Sequence, residues 1–149
     1  MLLEKLLKGF NYNTSTFNLK ESKLFDQYFE RILISKATFL VKEGEIERYS
    51  YFVFDGILRC WLLNHKVEEQ IFWFCKEGTF SLQTKSAFNV QTIVDSVIHR
   101  IDKKQENELY TAIPKVKTVF EDLNAILLNK LLKRNIDLIK YSPEQYYLQ

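Results

Sequence analysis

The chain has 149 residues, 46% of them apolar and 27% charged, with a formal charge of +2. That is the make-up of one globular domain, long enough to bury about two-thirds of the surface of its unfolded chain. So small a basic excess argues for neither a nucleic-acid nor an anionic-membrane partner, and no apolar run approaches the ~18–20 residues of a membrane span.

The opening "MLLEKLLKGF" is interrupted by Glu4, Lys5 and Lys8. It reads as an amphipathic turn or two of helix and not as a signal peptide, so a cytoplasmic protein is expected. Leu24, Phe25, Tyr28, Phe29, Ile32 and Leu33 recur at three- and four-residue spacing, which extends a helical reading over residues 1–33. Residues 37–101 change to strand character. "ATFLV", "YFVF", "ILRCWLL", "QIFWF" and "VQTIVDSVIHRI" are β-rich runs separated by "KEGE", "DG", "NHKVEE" and "CKEG". Three of the four glycines fall in this zone. Asp55-Gly56 and Glu77-Gly78 are turn dipeptides, and Gly44 returns the chain after "FLV". Residues 103–141 are helical again, with a long segment opening near Pro114, a favoured first-turn residue. Six or seven short strands with helices at both ends predict a small antiparallel barrel or sandwich in a single domain, 1–149. Cys60 and Cys75 form no C-x-x-C pair and read as reduced, partly buried thiols.

Helix, then "FLVKEGE", "YFVFDGILR" and "FWFCKEGTF", then a β run ending "IHRID", then a long helix, resembles the cyclic-nucleotide-binding sensor domain of the Crp/Fnr superfamily of bacterial transcription regulators. Gly44 and Gly56, twelve residues apart, match the family's glycine spacing. "GILRCW" resembles a Gly-x-x-Arg-x-aromatic strand frequent in the Bacteroidetes-type branch. The likeness covers roughly residues 20–149. It implies a mainly β fold, a double-stranded β-helix or jelly roll, with N-terminal helices and a long C-terminal dimerisation helix.

In nucleotide-binding members a phosphate cassette would fall on "EGTFSLQTKSAFNVQT", residues 77–92. A buried cyclic phosphate needs backbone N–H donors and a guanidinium fork to offset its desolvation. Here Ser81, Leu82 and Gln83 follow Phe80 where a Gly-Glu pair is expected, and Ser86 or Ala87 stands at the place of the arginine. Lys85 is the sole cation, and a lysine cannot make the bidentate contact. Phe80, Ser81, Gln83, Lys85, Ser86 and Thr92 are the candidate residues of a degenerate cassette, not expected to bind cyclic AMP in the usual mode. Arg59, a charge inside an apolar strand, either pairs with a carboxylate such as Glu69 or Asp95 or serves an anionic ligand. Trp61, Phe72, Trp73, Phe74, Phe80 and Phe88 are either core or the lining of an apolar pocket.

Catalysis has little to stand on. A metal-dependent cupin shares this β architecture but needs clustered His and Glu ligands, and His65 and His99 make no H-x-H pair. Nucleophile elbows are absent. No catalytic residue, metal or cofactor is therefore expected.

At 100° per residue Val116, Val119, Phe120, Leu123, Ile126, Leu127 and Leu131 form one apolar stripe of the last helix. Leu128, Leu132, Ile136 and Ile139 form a second, roughly opposite, and two faces need two partners. A two-fold pairing of this helix is expected, giving a homodimer. Lys130, Lys133, Arg134 and Lys140 read as a solvated face. Residues 142–149, broken at Ser142-Pro143, resemble the approach to the family's DNA-binding domain with no helix-turn-helix in the chain, so no specific DNA binding is expected of it alone. The resulting expectation is the effector-sensing and dimerisation domain of a Crp/Fnr-like regulator, its effector unnamed. The alternative is a stand-alone ligand-binding or protein-interaction module.

Overall fold

A computed structural model describes residues 2–76, 79–81 and 85–141, with the main chain alone for 79–81. Helix α1 (Leu2–Gly9) buries Leu2, Leu3, Leu6 and Leu7 along one face. The first two amides of this helix, which have no intrahelical acceptor, donate to the Asp26 carboxylate from Leu2 and Leu3, both at 3.2 Å. A short 3₁₀ turn (Thr14–Thr16) leads to α2 (Leu19–Gln27), which starts from a full capping box: the Asn18 side chain accepts from Glu21 N–H and the Glu21 side chain from Asn18 N–H.

The helical reading of residues 1–33 runs too far. Helix α2 closes at Tyr28, and Glu30–Ile34 is strand β1. Ile32 and Leu33 continue the three-and-four spacing by coincidence. Ile32 pairs with Ile98 and packs against the inter-sheet core, while Leu33 turns to solvent. An apolar pair at the start of a strand suits either period.

The remaining strands are β2 (Phe39–Val41), β3 (Tyr49–Asp55), β4 (Leu58–Leu63), β5 (Glu69–Cys75), β6 (Thr79–Ser81), β7 (Asn89–Thr92) and β8 (Ser96–Asp102). Two four-stranded sheets result, in the orders β1-β8-β3-β6 and β2-β7-β4-β5, with every pairing antiparallel. This is the jelly-roll arrangement expected from the sequence, with seven strands among the described residues where six or seven were expected and β1 as an eighth from the zone read as helical. The run "VQTIVDSVIHRI" is two strands, because β7 and β8 belong to different sheets. Asp95 lies in the turn between them and accepts from Lys36 N–H at 2.8 Å.

Gly44 and Gly56 both have positive φ, 88° and 141°. At Gly56 there is a second constraint: a Cβ would lie 2.1 Å from Ser96 Oγ and 3.0 Å from Ser96 Cα. The β3–β4 turn thus presses on the start of β8, and no other residue fits there.

The two faces of the first sheet serve two cores. Val53, Ile98 and Tyr51 look into the inter-sheet core with Val41, Leu58, Cys60, Cys75 and Val90. Phe52 and Ile101 look the other way, into a helical core with α1, Phe17 and Phe25. Helix α3 (Lys103–Ala112) is capped by Asp102, whose side chain accepts from Gln105 N–H. It joins the same core through Leu109, and Glu106 ties it to β3 by accepting from the Ser50 hydroxyl at 2.9 Å. Helix α4 (Lys115–Lys140) follows Pro114 and buries Val116, Val119, Phe120 and Leu123 there. No helix among the described residues is long and apolar enough to cross a membrane.

Candidate functional site

The candidate cassette follows β5. Gln83 lies outside the described residues, as do the side chains of Phe80 and Ser81; the main chain of Ser81 pairs with Ser50 in the first sheet. Lys85 is exposed and bridges Ile46. Ser86 is buried and structural in its contacts. Its N–H donates to Glu45 C=O at 2.9 Å, its C=O accepts from Gly44 N–H at 2.8 Å, and its hydroxyl donates to Phe88 C=O at 2.6 Å. The turn carrying Gly44 is thus laced to the cassette's far end. Thr92, also buried, donates its hydroxyl to Ser35 C=O at 2.7 Å and accepts from Thr38 N–H at 2.9 Å. Both hydroxyls are thus engaged by main chain, where buried polar groups must find partners.

Arg59 stands between Leu58 and Cys60, which face the inter-sheet core, so it lies on the outer face of the second sheet. Each of its three guanidinium nitrogens has a partner. Nε and Nη2 donate to Gln91 Oε1 at 3.1 and 2.7 Å, Nη1 meets Glu69 at 3.2 Å, and the group stacks over Trp61 at 4.8 Å. Of the two carboxylates the sequence offered, Glu69 is the one in reach; Asp95 is committed to Lys36. An anion arriving at Arg59 would meet the Glu69 carboxylate already beside the guanidinium. Gln91, which the sequence reading passed over, organises this face, since its Oε1 also accepts from Trp61 Nε1 at 3.1 Å and its Nε2 donates to Ala37 C=O. The signal was available: in "NVQT" the residue alternates outward beside Arg59.

The aromatics divide. Trp61 is buried under Arg59 and near Phe39. Phe72, Trp73 and Phe88 pack on the inter-sheet core, Phe72 and Phe88 edge to face at 5.0 Å, while Phe74 is exposed. Cys60 and Cys75 are buried on the same core, and burial pushes the Cys60 thiol up to about 12, with Cys75 nearby adding to the shift. A thiol so far from its thiolate is a poor nucleophile. His65 is exposed, and His99 lies half-buried against Phe54 at 5.1 Å. Among the described residues no three His, Cys, Asp or Glu side chains gather as metal ligands.

Helix α4 carries the clearest functional geometry. Its first stripe is buried through Leu123, and Ile126 and Leu127 pack at its margin. The second stripe faces solvent: Leu128 is 60% exposed, Leu132 54%, Ile136 45% and Ile139 85%. Arg134 does not belong to a solvated basic face. It is half-buried, and its Nη1 donates to the Phe72 carbonyl of β5 at 2.6 Å.

No protein-family model matches the sequence, nor does any curated protein. The fold, however, matches solved structures. The catabolite activator protein of Thermus thermophilus is similar with a TM-score of 0.68 and 18% identity, over 83% of this chain and 59% of that one. The CO-dependent transcription factor CooA of Carboxydothermus hydrogenoformans gives 0.63 and 19%, over 90% and 56%. A cyclic nucleotide-binding domain from Methylobacillus flagellatus KT gives 0.68 and 13%, over 91% and 78%. The chain spans less than two thirds of the first two. At these identities the likeness is one of fold: this chain has the architecture of a cyclic nucleotide-binding domain.

Proposed function

We propose that the chain is the effector-sensing and dimerisation part of a Crp/Fnr-like transcription regulator whose phosphate cassette has lost its nucleotide chemistry. The observation that carries the reading is the exposed stripe Leu128, Leu132, Ile136 and Ile139 on a 26-residue helix whose first half buries its other stripe in its own domain. Four large apolar side chains in one row make a patch of a few hundred Å², the scale that marks an interface. Burying each yields roughly 1.5–3 kcal/mol. A two-fold pair counts every residue twice, so the gain can exceed the ~4–15 kcal/mol cost of association. Regulators are among the fold's solved neighbours, and they differ in effector: one is titled CO-dependent and another c-di-GMP responsive. The fold therefore leaves the effector open.

For the cassette, the support is the missing Gly-Glu pair and arginine, together with Ser86 and Thr92 hydroxyls already engaged by main chain. Calorimetry with cyclic AMP or cyclic GMP is expected to show nothing tighter than about 1 mM; micromolar binding would overturn this part. Light scattering tests the helix. The wild type is expected at twice the 17.8 kDa chain mass. Leu132→Asp with Ile136→Asp is expected to give a folded monomer, by setting unpaired charges in the seam. A monomeric wild type would sink the proposal.

A further inference from the structure

We propose that Arg134 is a latch that fixes the rotational phase of α4 against the barrel, and that Phe72 makes the latch responsive to the barrel interior. The inference rests on the reading of α4 as the dimer helix, whose rotation would turn the exposed stripe.

Phe72 occupies an unusual place. Trp73 pairs with Cys60 and Ile71 with Trp61, so Phe72 is the extra residue of a β-bulge. Strand β5 is also the edge of its sheet, and edge carbonyls have no strand to pair with. One of them, on the bulged residue itself, is taken by the Arg134 guanidinium at 2.6 Å. The side chain of the same residue packs inside on the Phe88 ring at 5.0 Å. Phe88 is held in turn by the Ser86 hydroxyl on its carbonyl, at the end of the candidate cassette. One residue thus touches the helix with its main chain and the barrel interior with its ring.

Helix geometry gives the contact its leverage. At 100° per residue Arg134 continues the line of Val116, Leu123, Leu127 and Leu131, roughly 150° round from the centre of the exposed stripe. Upstream that line is apolar and sits on core; at Arg134 it becomes a single charge-assisted hydrogen bond to a bulge. Rotation of this half of the helix therefore breaks the Arg134 bond and the exposed Lys130 contact over the Phe10 ring at 5.5 Å, and exposes none of the fully buried side chains Val116–Leu123. The extra residue of a bulge is left unpaired in the ladder, so displacement of Phe88 by a ligand moves the acceptor that Arg134 holds.

Hydrogen exchange on the intact chain tests this. Arg134→Gln is expected to speed exchange of the amides of residues 135–140 about tenfold, the order of effect of a hydrogen bond to a charged group, and to leave Val116–Leu123 unchanged. Arg134→Lys, which keeps a charged donor where Gln offers only a neutral, shorter one, is expected to restore part of the protection. Phe88→Leu, which keeps the bulk and removes the ring edge, is expected to speed the same C-terminal amides about threefold. The double variant Phe88→Leu/Arg134→Gln is expected to go no further than Arg134→Gln alone. Additive effects, or no response of residues 135–140 to Phe88→Leu, would overturn the coupling. Faster exchange throughout the chain in Arg134→Gln would overturn the latch. The same series run in Leu132→Asp/Ile136→Asp separates this from dimerisation: the latch ratios persist there, whatever the mass of the wild type.

Discussion

The two halves of α4 have similar sequences and opposite fates. From Val116 to Leu123 four apolar side chains are buried, and Leu123 has no exposed surface. From Leu128 to Ile139 five others face solvent, the four of the second stripe and Leu138. What differs is what lies beneath. The first half rests on α1, Phe17, Phe25 and the outer face of the first sheet; the second reaches past them to the open edge of β5, where Arg134 holds a carbonyl, with the Lys130 ammonium over the Phe10 ring on the way. An apolar stripe is thus a demand for a partner, and the surrounding topology decides whether the chain supplies one.

The largest expected effect breaks the first half. Leu123→Ala removes a wholly buried side chain and is expected to cost about 2–5 kcal/mol of stability in denaturant at every protein concentration. Leu132→Ala is expected to leave the isolated fold within about 0.5 kcal/mol of the wild type, as surface changes do. Its mark falls on association: the unfolding midpoint should depend less steeply on dilution, since a folded partner stabilises by mass action. Equal losses in the two variants would end the distinction between the halves. The Leu132→Asp/Ile136→Asp variant sharpens it, because a chain that unfolded outright would place the second stripe in its own core.

How much of this the sequence disclosed follows from which signals were local. The β3–β4 turn at Asp55-Gly56, the opening of α4 at Pro114 and both stripes of α4 are written in neighbouring residues, and they were legible. Strand β1 was not, because Ile32 and Leu33 fit a helical period that ends at Tyr28 only through the pairing of Glu30–Ile34 with β8. The split of β7 from β8 was hidden for the same reason: the two strands part to different sheets, and the Asp95 contact that marks the turn reaches across 59 residues to Lys36. Arg59 was seen as anomalous but its resolution by Gln91 lies 32 residues on. Arg134 was misjudged because its acceptor is a backbone carbonyl, which carries no sequence signal at all. Much of the candidate site therefore rests on non-local main-chain contacts, and these are what a composition or period cannot display.

The smallest effect distinguishes the halves by acid. His99 alternates with Ile98 and Arg100 onto the helix-covered face of the first sheet, beside Phe54, over whose ring the Lys5 ammonium sits at 4.0 Å. Burial lowers its pKa below the ordinary 6.5, the Arg31 guanidinium lowers it further, and the Asp26 carboxylate opposes them in part. The unfolded chain therefore binds a proton at His99 more readily than the folded one, and stability rises with pH across the window just below and around 6.5. Lowering the pH from about 7.5 to about 5.5 should weaken the helix-covered core, where charged His99 is poorly solvated. It should leave the dilution dependence set by Leu128, Leu132, Ile136 and Ile139 as it was, since no titrating side chain stands in that row. Carboxylates elsewhere also respond over this range, so the quantity to read is a difference: His99→Gln is expected to lose less stability than the wild type between the two pH values, by a fraction of the ~1.4 kcal/mol that one full pKa unit represents. A His65→Gln control, in an exposed loop, should track the wild type. Parallel curves for wild type and His99→Gln would mean that the imidazole is solvated in the folded chain, and that the helical layer over the first sheet is looser than its packing indicates.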